Sequence, residues 1–173
     1  MKTGYEIIAS TIVFLFIFYL YFNRKPDRSK SNYPNHTIVS PCDGTVMNAE
    51  GRNISIFLNP FDIHAQYVPI DGYIKAIEII HGKKYMANKP ESIHNEGVKV
   101  IFSSELGDIE VIQRVGFFVR RIQNYIQVNE FVQRGYNYGK INFGSRVDIV
   151  LPPNNNTILK VNQKVYAGIT IIA

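Results

Sequence analysis

The 173 residues are enough for one domain with a sizeable core, and the composition, with 11 Tyr and 11 Phe, is that of a foldable globular chain. The net charge of +5 is concentrated at the start, because residues 1–30 carry +3 and residues 31–173 only +2. A nearly neutral domain argues against nucleic acid as the main partner. The single cysteine, Cys42, excludes an intrachain disulfide and a cysteine metal cluster, so we predict a small core side chain there and no metal site.

Residues 7–22, IIASTIVFLFIFYLYF, are uncharged, lack a helix breaker and predict a membrane helix. Tyr5, Tyr19 and Tyr21 suit the interfacial regions and extend the span. Basic residues after the helix outnumber the lone Lys2 before it, so the positive-inside rule predicts a cytoplasmic C-terminal domain. A signal peptide is the alternative, but no small-residue cleavage site follows the apolar run.

The polar, aperiodic sequence NRKPDRSKSNYPNH at 23–36 predicts a tether between the anchor at 1–22 and a folded domain at 37–173. Short β-forming runs separated by turn signals predict that this domain is mainly β. Residues 116–124 fit a short helix equally well. No long amphipathic helix follows the membrane span, which favours a closed or sandwich-like barrel. The predicted strands are 37–39, 45–49, 54–58, 65–69, 73–80, 98–103, 109–115, 126–131, 142–150 and 165–172.

Two segments, SPCDGTV at 40–46 and NQKVYAG at 162–168, resemble the opening and closing strands of lipoyl, biotinyl and sugar-phosphotransferase carrier domains. Those domains are barrel-sandwich hybrids. The resemblance therefore favours a barrel-sandwich-hybrid-like β domain with little helix, and it says little about function.

The run FGSRVDIVLP at 143–152 places a Gly-Ser peptide at the head of a strongly β-forming sequence. Period-2 alternation puts Ser145, Val147 and Ile149 on one apolar face, where a buried hydroxyl needs a hydrogen-bond partner. Taken alone, Ser145 is either a reactive serine beside a permissive Gly144 or a satisfied core hydroxyl after a turn glycine.

Other polar positions are also candidates for a site. Asp43 lies in a Pro-x-Asp-Gly turn, where an aspartate ordinarily caps its own turn. His64 follows an Asn-Pro-Phe-Asp turn, and a lone histidine is more often a satisfied polar group than a base. Arg120 and Arg121 could bind phosphate or carboxylate, although an exposed, solvated pair is the default interpretation.

The motifs SPCDG, FLNPFDIH, IDG, HNEG, VGFFVRRI and YGKINFGSRVDIVLP, in this order, closely resemble the short form of phosphatidylserine decarboxylase over residues 38–173. FGSRVD is the most specific of them. The resemblance implies an enzyme that converts phosphatidylserine to phosphatidylethanolamine at a membrane, with a pyruvoyl cofactor made from its own chain. It also suggests a homodimer.

The resemblance further implies that Ser145 attacks the carbonyl of Gly144, giving a β chain of residues 1–144 and an α chain of residues 145–173. Ser145 then becomes the pyruvoyl group that forms a Schiff base with the substrate amine. By motif match, His64 is the base and Asp43 the carboxylate that orients it. His64 is also the implied proton donor during decarboxylation.

The chain departs from the family pattern at three places. Tyr67 stands where longer forms have a second histidine, Asn95-Glu96-Gly97 replaces Asn-Glu-Arg, and the sequence GYNYG at 135–139 replaces Gly-Glu-Arg-Phe-Gly. The two missing arginines leave the substrate preference more open than the self-cleavage.

Two alternatives to this function remain. One is a membrane-tethered carrier domain of lipoyl or phosphotransferase type, but Lys83 and Lys84 lack the acidic or Met neighbours of a carrier hairpin and no second histidine pairs with His64. The other is a self-cleaving relative that acts on a different amine acid, or one that has lost decarboxylation while keeping its scaffold.

Overall fold

The computed structural model describes residues 4–29, 33–34, 36–117, 122–142 and 144–173. These residues contain one α-helix, α1 (Gly4–Phe22), and one 3₁₀ helix (Pro90–His94). The chain is mainly β, which confirms the predicted fold class. The strands are β1 (Gly44–Glu50), β2 (Asn53–Leu58), β3 (Ala65–Tyr67), β4 (Gly72–Ile80), β5 (Gly97–Ser104), β6 (Gly107–Arg114), β7 (Ile122–Asn124), β8 (Phe131–Val132), β9 (Asn137–Ile141), β10 (Ser145–Val150) and β11 (Lys164–Val165).

The strands form two antiparallel sheets. The larger sheet has eight strands in the order β11-β1-β2-β10-β6-β5-β4-β8, and the smaller has three in the order β3-β9-β7. Neither sheet closes on itself within the described ranges, so the closed alternative of the predicted barrel is not observed. Strand β10 lies in the interior of the larger sheet, between β2 and β6.

One hydrophobic cluster joins the two sheets. Val147 and Ile149 of β10 are buried in it, as the alternation predicts, together with residues of β9. The rings of Phe102 and Tyr138 meet edge to face across the sheets, with centroids 5.4 Å apart. Cys42 belongs to the same cluster and is fully buried, which confirms its predicted place in the core.

Several strand predictions at the ends and in the middle of the domain are wrong. The first predicted strand, 37–39, forms only an isolated bridge from Val39 to Ile171, and β11 covers one residue of the predicted 165–172. Of 126–131, only residue 131 lies in a strand, and Asn129 has a φ of 71°.

Strand β9 was not predicted, because its Gly, Asn and Tyr residues resemble a turn. It is a strand since it pairs with β3 on one side and β7 on the other. Two further boundaries differ. The predicted strand 142–150 begins only at Ser145, and residues 122–124 of the ambiguous segment 116–124 form strand β7. Residues 118–121 of that segment lie outside the described ranges.

Helix α1 is long and apolar enough to cross a membrane. Most of its side chains are exposed. The exceptions lie at its end, where Phe18 is half-buried and Phe22 is buried. The end of the helix is therefore the part of α1 that contacts the β domain.

The chain after α1 lies against the domain. The Tyr67 hydroxyl donates to the carbonyl of Pro26 at 2.8 Å. The guanidinium of Arg134 donates to three backbone carbonyls, those of residues 33, 34 and 37. The described part of the predicted tether is therefore docked on the domain rather than extended from it.

Buried charges hold strand β10 from the face opposite the core. Arg146 and Asp148 alternate away from Val147, as predicted, yet they are only 6% and 8% exposed. Asp148 accepts hydrogen bonds from Nε of Arg146 and Nε of Arg114, each at 2.6 Å, and from the Ser55 hydroxyl at 2.7 Å. We call Ser55, Arg114, Arg146 and Asp148 the Asp148 network. It joins β10 to both neighbouring strands.

We expect Asp148→Asn to lower the free energy of unfolding by about 3–5 kcal/mol, because it leaves two buried guanidinium groups without their anion. Chemical denaturation in detergent micelles measures this, in a Ser145→Ala background that lacks the hydroxyl implied by the family resemblance to cut the chain. Asp108→Asn is the control, since Asp108 pairs with Lys75 at the surface and its loss should cost at most about 1 kcal/mol. Equal losses from the two variants would contradict the assigned role of the network.

Candidate active site

Ser145 is the first residue of β10 and lies opposite Leu58 of β2. Its side chain is fully buried, and its hydroxyl donates a long hydrogen bond of 3.4 Å to the carbonyl of Asn142. Pairing of β10 with a strand on either side fixes the backbone that follows this residue. The hydroxyl is therefore held in place while its own hydrogen bond is weak.

The Gly144-Ser145 peptide has an unusual backbone conformation. Gly144 has a φ of +55°, in the left-handed region where a side chain would be strained. Its carbonyl oxygen lies so close to Gly116 that a Cβ added to Gly116 would overlap it. The sequence motif VGFFVRRI contains Gly116, but no sequence signal shows this contact, because the two glycines are distant in the chain.

His64 lies just before β3, and its carbonyl accepts the backbone N–H of Ile141 at 3.1 Å, four residues before Ser145. Its imidazole is fully buried, with Nδ1 2.9 Å from the carbonyl oxygen of Asp62. Because a carbonyl only accepts, Nδ1 carries the proton and the neutral ring has its lone pair on Nε2. Nε2 has no hydrogen-bond partner among the described residues. This nitrogen is the one that could accept a proton.

The last residue of α1 covers this histidine. The ring of Phe22 lies on the imidazole, with centroids 4.4 Å apart and planes inclined by 38°. Burial lowers the pKa of His64 to about 4; Asp62 opposes this shift, whereas the cations of Lys140 and Arg24 add to it. His64 is therefore neutral at physiological pH, the form that a general base requires.

Asp43 directly precedes β1 and is 5% exposed. Its Oδ1 accepts the backbone N–H of Ala167 at 2.8 Å, and its Oδ2 lies 3.7 Å from Nη2 of Arg28. Burial raises the pKa of Asp43, and the contacts with Ala167 and Arg28 oppose that rise. Among the described contacts, the acceptor that orients His64 is thus the backbone of Asp62, and Asp43 binds the C-terminal segment and the docked tether.

Two of the predicted site residues share one polar region. The charges of Asp62 and Arg24 act on both Asp43 and His64. No hydrogen bond joins Ser145 to His64 in the part of the chain that the structure describes. The structure thus places the three candidate residues in the same domain without assembling them into a hydrogen-bonded triad.

Arg120 and Arg121, predicted to bind substrate, lie outside the described residues, as does residue 143. A metal was not predicted. Among the described residues, no group of three or more His, Cys, Asp or Glu side chains could hold a metal ion.

Tyr67, at the position of the second family histidine, contacts the docked tether. Its hydroxyl donates to the carbonyl of Pro26, and burial raises the pKa of Tyr67 to about 12. The hydroxyl therefore stays protonated at physiological pH and remains a hydrogen-bond donor. At this position the chain has a structural contact in place of a second imidazole.

A fully buried serine follows a left-handed glycine at the entrance of a strand paired on both sides. This arrangement defines a class of protein in which a serine hydroxyl is a candidate nucleophile beside a peptide bond of its own chain. Residues 15–173 match the phosphatidylserine decarboxylase family, and the chain belongs to that family. The resemblance found in the sequence is therefore confirmed.

Named relatives extend this finding. A putative archaetidylserine decarboxylase proenzyme of Methanococcoides burtonii is 37% identical, over 93% of this chain and 77% of the relative. A phosphatidylserine decarboxylase proenzyme of Chlorobium chlorochromatii is 37% identical over 96% of this chain and 82% of the relative. Another, of Streptomyces avermitilis, is 39% identical over 88% of this chain and 72% of the relative.

We expect Phe22→Ala to raise the pKa of His64 from about 4 toward its ordinary value of 6.5, because water would then reach the imidazole and favour its charged form. NMR titration of histidine in the Ser145→Ala protein measures this. Phe61→Ala is the control, since the Phe61 ring is exposed and contacts Phe18 instead. An unchanged His64 titration in Phe22→Ala would show that the ring does not shield the imidazole.

Proposed function

We propose that this chain is a proenzyme that cuts itself between Gly144 and Ser145 and then decarboxylates phosphatidylserine to phosphatidylethanolamine. The observation that carries the proposal is the buried Ser145 after the left-handed Gly144, at the head of β10, in a member of a carboxy-lyase family whose relatives are named proenzymes. Relatives of similar identity are named for archaetidylserine, so that lipid is the second candidate substrate.

In the cleavage reaction, the Ser145 hydroxyl attacks the carbonyl carbon of Gly144 and the peptide becomes an ester. Nε2 of His64 is the proposed acceptor of the hydroxyl proton, supported by its unbonded lone pair on a neutral ring. Loss of the α-proton of residue 145 then breaks the ester, and Gly144 leaves with a terminal carboxylate. The dehydroalanine that remains takes up water and releases ammonia, which gives the pyruvoyl group.

The glycines support this reaction by geometry. Gly144 tolerates a φ of +55° without strain. Because Gly116 has no side chain, the carbonyl oxygen of Gly144 has room beside it. Both features fit a peptide that has to distort as its carbonyl carbon becomes tetrahedral. The residues around Ser145 therefore suit formation of the prosthetic group.

The two chains would stay together after cleavage. Strand β10, which would begin the α chain, pairs on either side with β2 and β6 of the β chain. Arg146 and Asp148 also bind Ser55 and Arg114 across the cut. These contacts would hold the new terminus at residue 145 in place.

In decarboxylation, the pyruvoyl group supplies the carbonyl that takes the substrate amine and the electron sink for loss of carbon dioxide. His64 is the proposed donor of the proton to the substrate α-carbon, once Nε2 has accepted the proton that the substrate ammonium must lose before its nitrogen can react. Its burial under Phe22 would keep water from this step.

Helix α1 is the proposed single-pass anchor, with the domain on the cytoplasmic side. The contact of Phe22 with His64 argues against removal of α1 as a signal peptide, because removal would uncover the histidine. The carrier alternative is less well supported, since Lys84 is paired with Glu96 at 3.1 Å rather than presented at a hairpin tip.

We expect the purified protein to contain two chains, the smaller starting with a pyruvoyl group at position 145. Ser145→Ala should give one full-length chain without activity, because the nucleophile is gone. Intact mass spectrometry and carbon dioxide release measure both. Ser103→Ala on β5 is the control and should be cut normally. A folded wild type that stays uncut would refute the proposal, and equal turnover of free serine would remove the lipid assignment.

We expect Gly116→Ala to slow cleavage strongly, because the added Cβ would overlap the Gly144 carbonyl oxygen and displace the peptide. The ratio of cut to uncut chain over time measures the effect. Gly97→Ala is the steric control, since its Cβ would overlap the carbonyl oxygen of Gln113, a similar clash with a different peptide. Cleavage of Gly116→Ala at the wild-type rate would contradict the role of this contact.

A further inference from the structure

We propose that Arg24, Lys25 and Lys140 form a binding site for the phosphodiester of the lipid substrate, near His64 at the end of helix α1. We call these three residues the helix-end cation cluster. The inference rests on the proposed function, because it assigns the substrate's anionic group to this site.

Lys140 is the central observation. It is only 8% exposed, and its ammonium donates to Oδ1 of Asn23 and lies 4.9 Å from the centroid of the Phe22 ring. Both of these described partners are neutral. A nearly buried ammonium paired only with neutral groups is costly, so an anionic ligand would relieve this cost.

The other two cations also have neutral partners in the described contacts. Arg24 donates to the carbonyls of Tyr21 and Phe61, and its guanidinium carbon lies 3.7 Å from the centroid of the Tyr21 ring. The ammonium of Lys25 lies 3.4 Å from the hydroxyl of Tyr125 and 4.8 Å from the centroid of its ring.

Neighbouring basic side chains behave differently. Arg28 pairs with Asp43, and Lys164 pairs with Asp62 at 2.5 Å. These two carboxylates are thus already engaged by other cations. No ion pair between the helix-end cation cluster and a carboxylate is found in the described part of the chain, so an anionic ligand would supply the missing counter-charge.

The members of the cluster lie close to one another and to the candidate base. Lys140 binds the side chain of Asn23, which directly precedes Arg24 and Lys25. The Phe22 ring contacts both the Lys140 ammonium and the His64 imidazole. Burial and the charge of Lys25 lower the pKa of Lys140, and the charges of Lys140 and Arg24 add to the lowering of the pKa of His64 by burial. An anion held here would therefore bring the rest of its lipid near His64.

The position also suits a lipid phosphate. The exposed apolar face of α1 ends at Tyr21, and Arg24 and Lys25 follow shortly after it, where a membrane crossed by α1 would present its phosphates. We favour the phosphodiester over the substrate carboxylate, since the phosphodiester keeps its charge throughout the reaction. A strong ionic hold on the carboxylate would instead stabilise the ground state.

The first test uses Lys140→Met, which removes the charge and keeps the apolar stem. We expect normal cleavage, a kcat within about twofold of wild type and a KM for dihexanoyl-phosphatidylserine raised about tenfold. Lys160→Met, which removes one exposed charge elsewhere, is the control and should leave KM unchanged. An unchanged KM in Lys140→Met would overturn the inference.

The second test needs no catalysis, so its result is independent of the proposed reaction. Binding of dihexanoyl-phosphatidylserine and dihexanoyl-phosphatidylethanolamine to Ser145→Ala protein is measured by calorimetry, with and without Lys140→Met. If Lys140→Met weakens the binding of both lipids equally, the result supports a phosphodiester site, because both lipids carry that group. If only the binding of phosphatidylserine is weakened, the site belongs to the substrate carboxylate and the inference is overturned. Unchanged binding of both lipids would also overturn it. Should Lys140→Met not fold, the exposed Lys25 is replaced by Met in both tests.

Discussion

The position of strand β10 depends on the hydrogen bonds that the carboxylate of Asp148 accepts. Arg146 and Arg114 lie directly opposite each other on neighbouring strands, an arrangement that would repel without an anion between them. Asp148 accepts from both at 2.6 Å and from Ser55 on the other side. Because these groups are buried, their electrostatic contacts are strong and each depends on the others. The strand that begins at Ser145 is thereby fixed from two sides.

The candidate site is built from three parts of the chain around this strand. The turn before β10 gives the left-handed Gly144, the segment after β6 gives Gly116, and the segment before β3 gives His64. The end of the apolar helix then covers the histidine by laying Phe22 on the imidazole. The segment predicted to anchor the protein is therefore also a structural part of the site, and its docking sets the environment of the histidine.

Sequence patterns predicted those elements whose signal is local. The apolar run at 7–22 and the alternation in β10 were both found, because an uninterrupted apolar run and a period-2 alternation are direct patterns in the sequence. Strand β9 was missed since its stability comes from pairing on both edges, which no local pattern reports. The docking of the tether was missed for a similar reason: its contacts run between polar side chains and backbone carbonyls, and a polar sequence alone resembles a free linker.

The sequence by itself determined the fold class, the family and the candidate residues Ser145, His64 and Asp43, because ordered motifs carry that information. Only the tertiary structure decided how these residues are arranged. In it the backbone carbonyl of Asp62, rather than the carboxylate of Asp43, holds the imidazole, and a ring from the helix end lies on it. The physical reason is that hydrogen bonds, burial and charge act between residues far apart in the chain, where spacing along the sequence gives no signal.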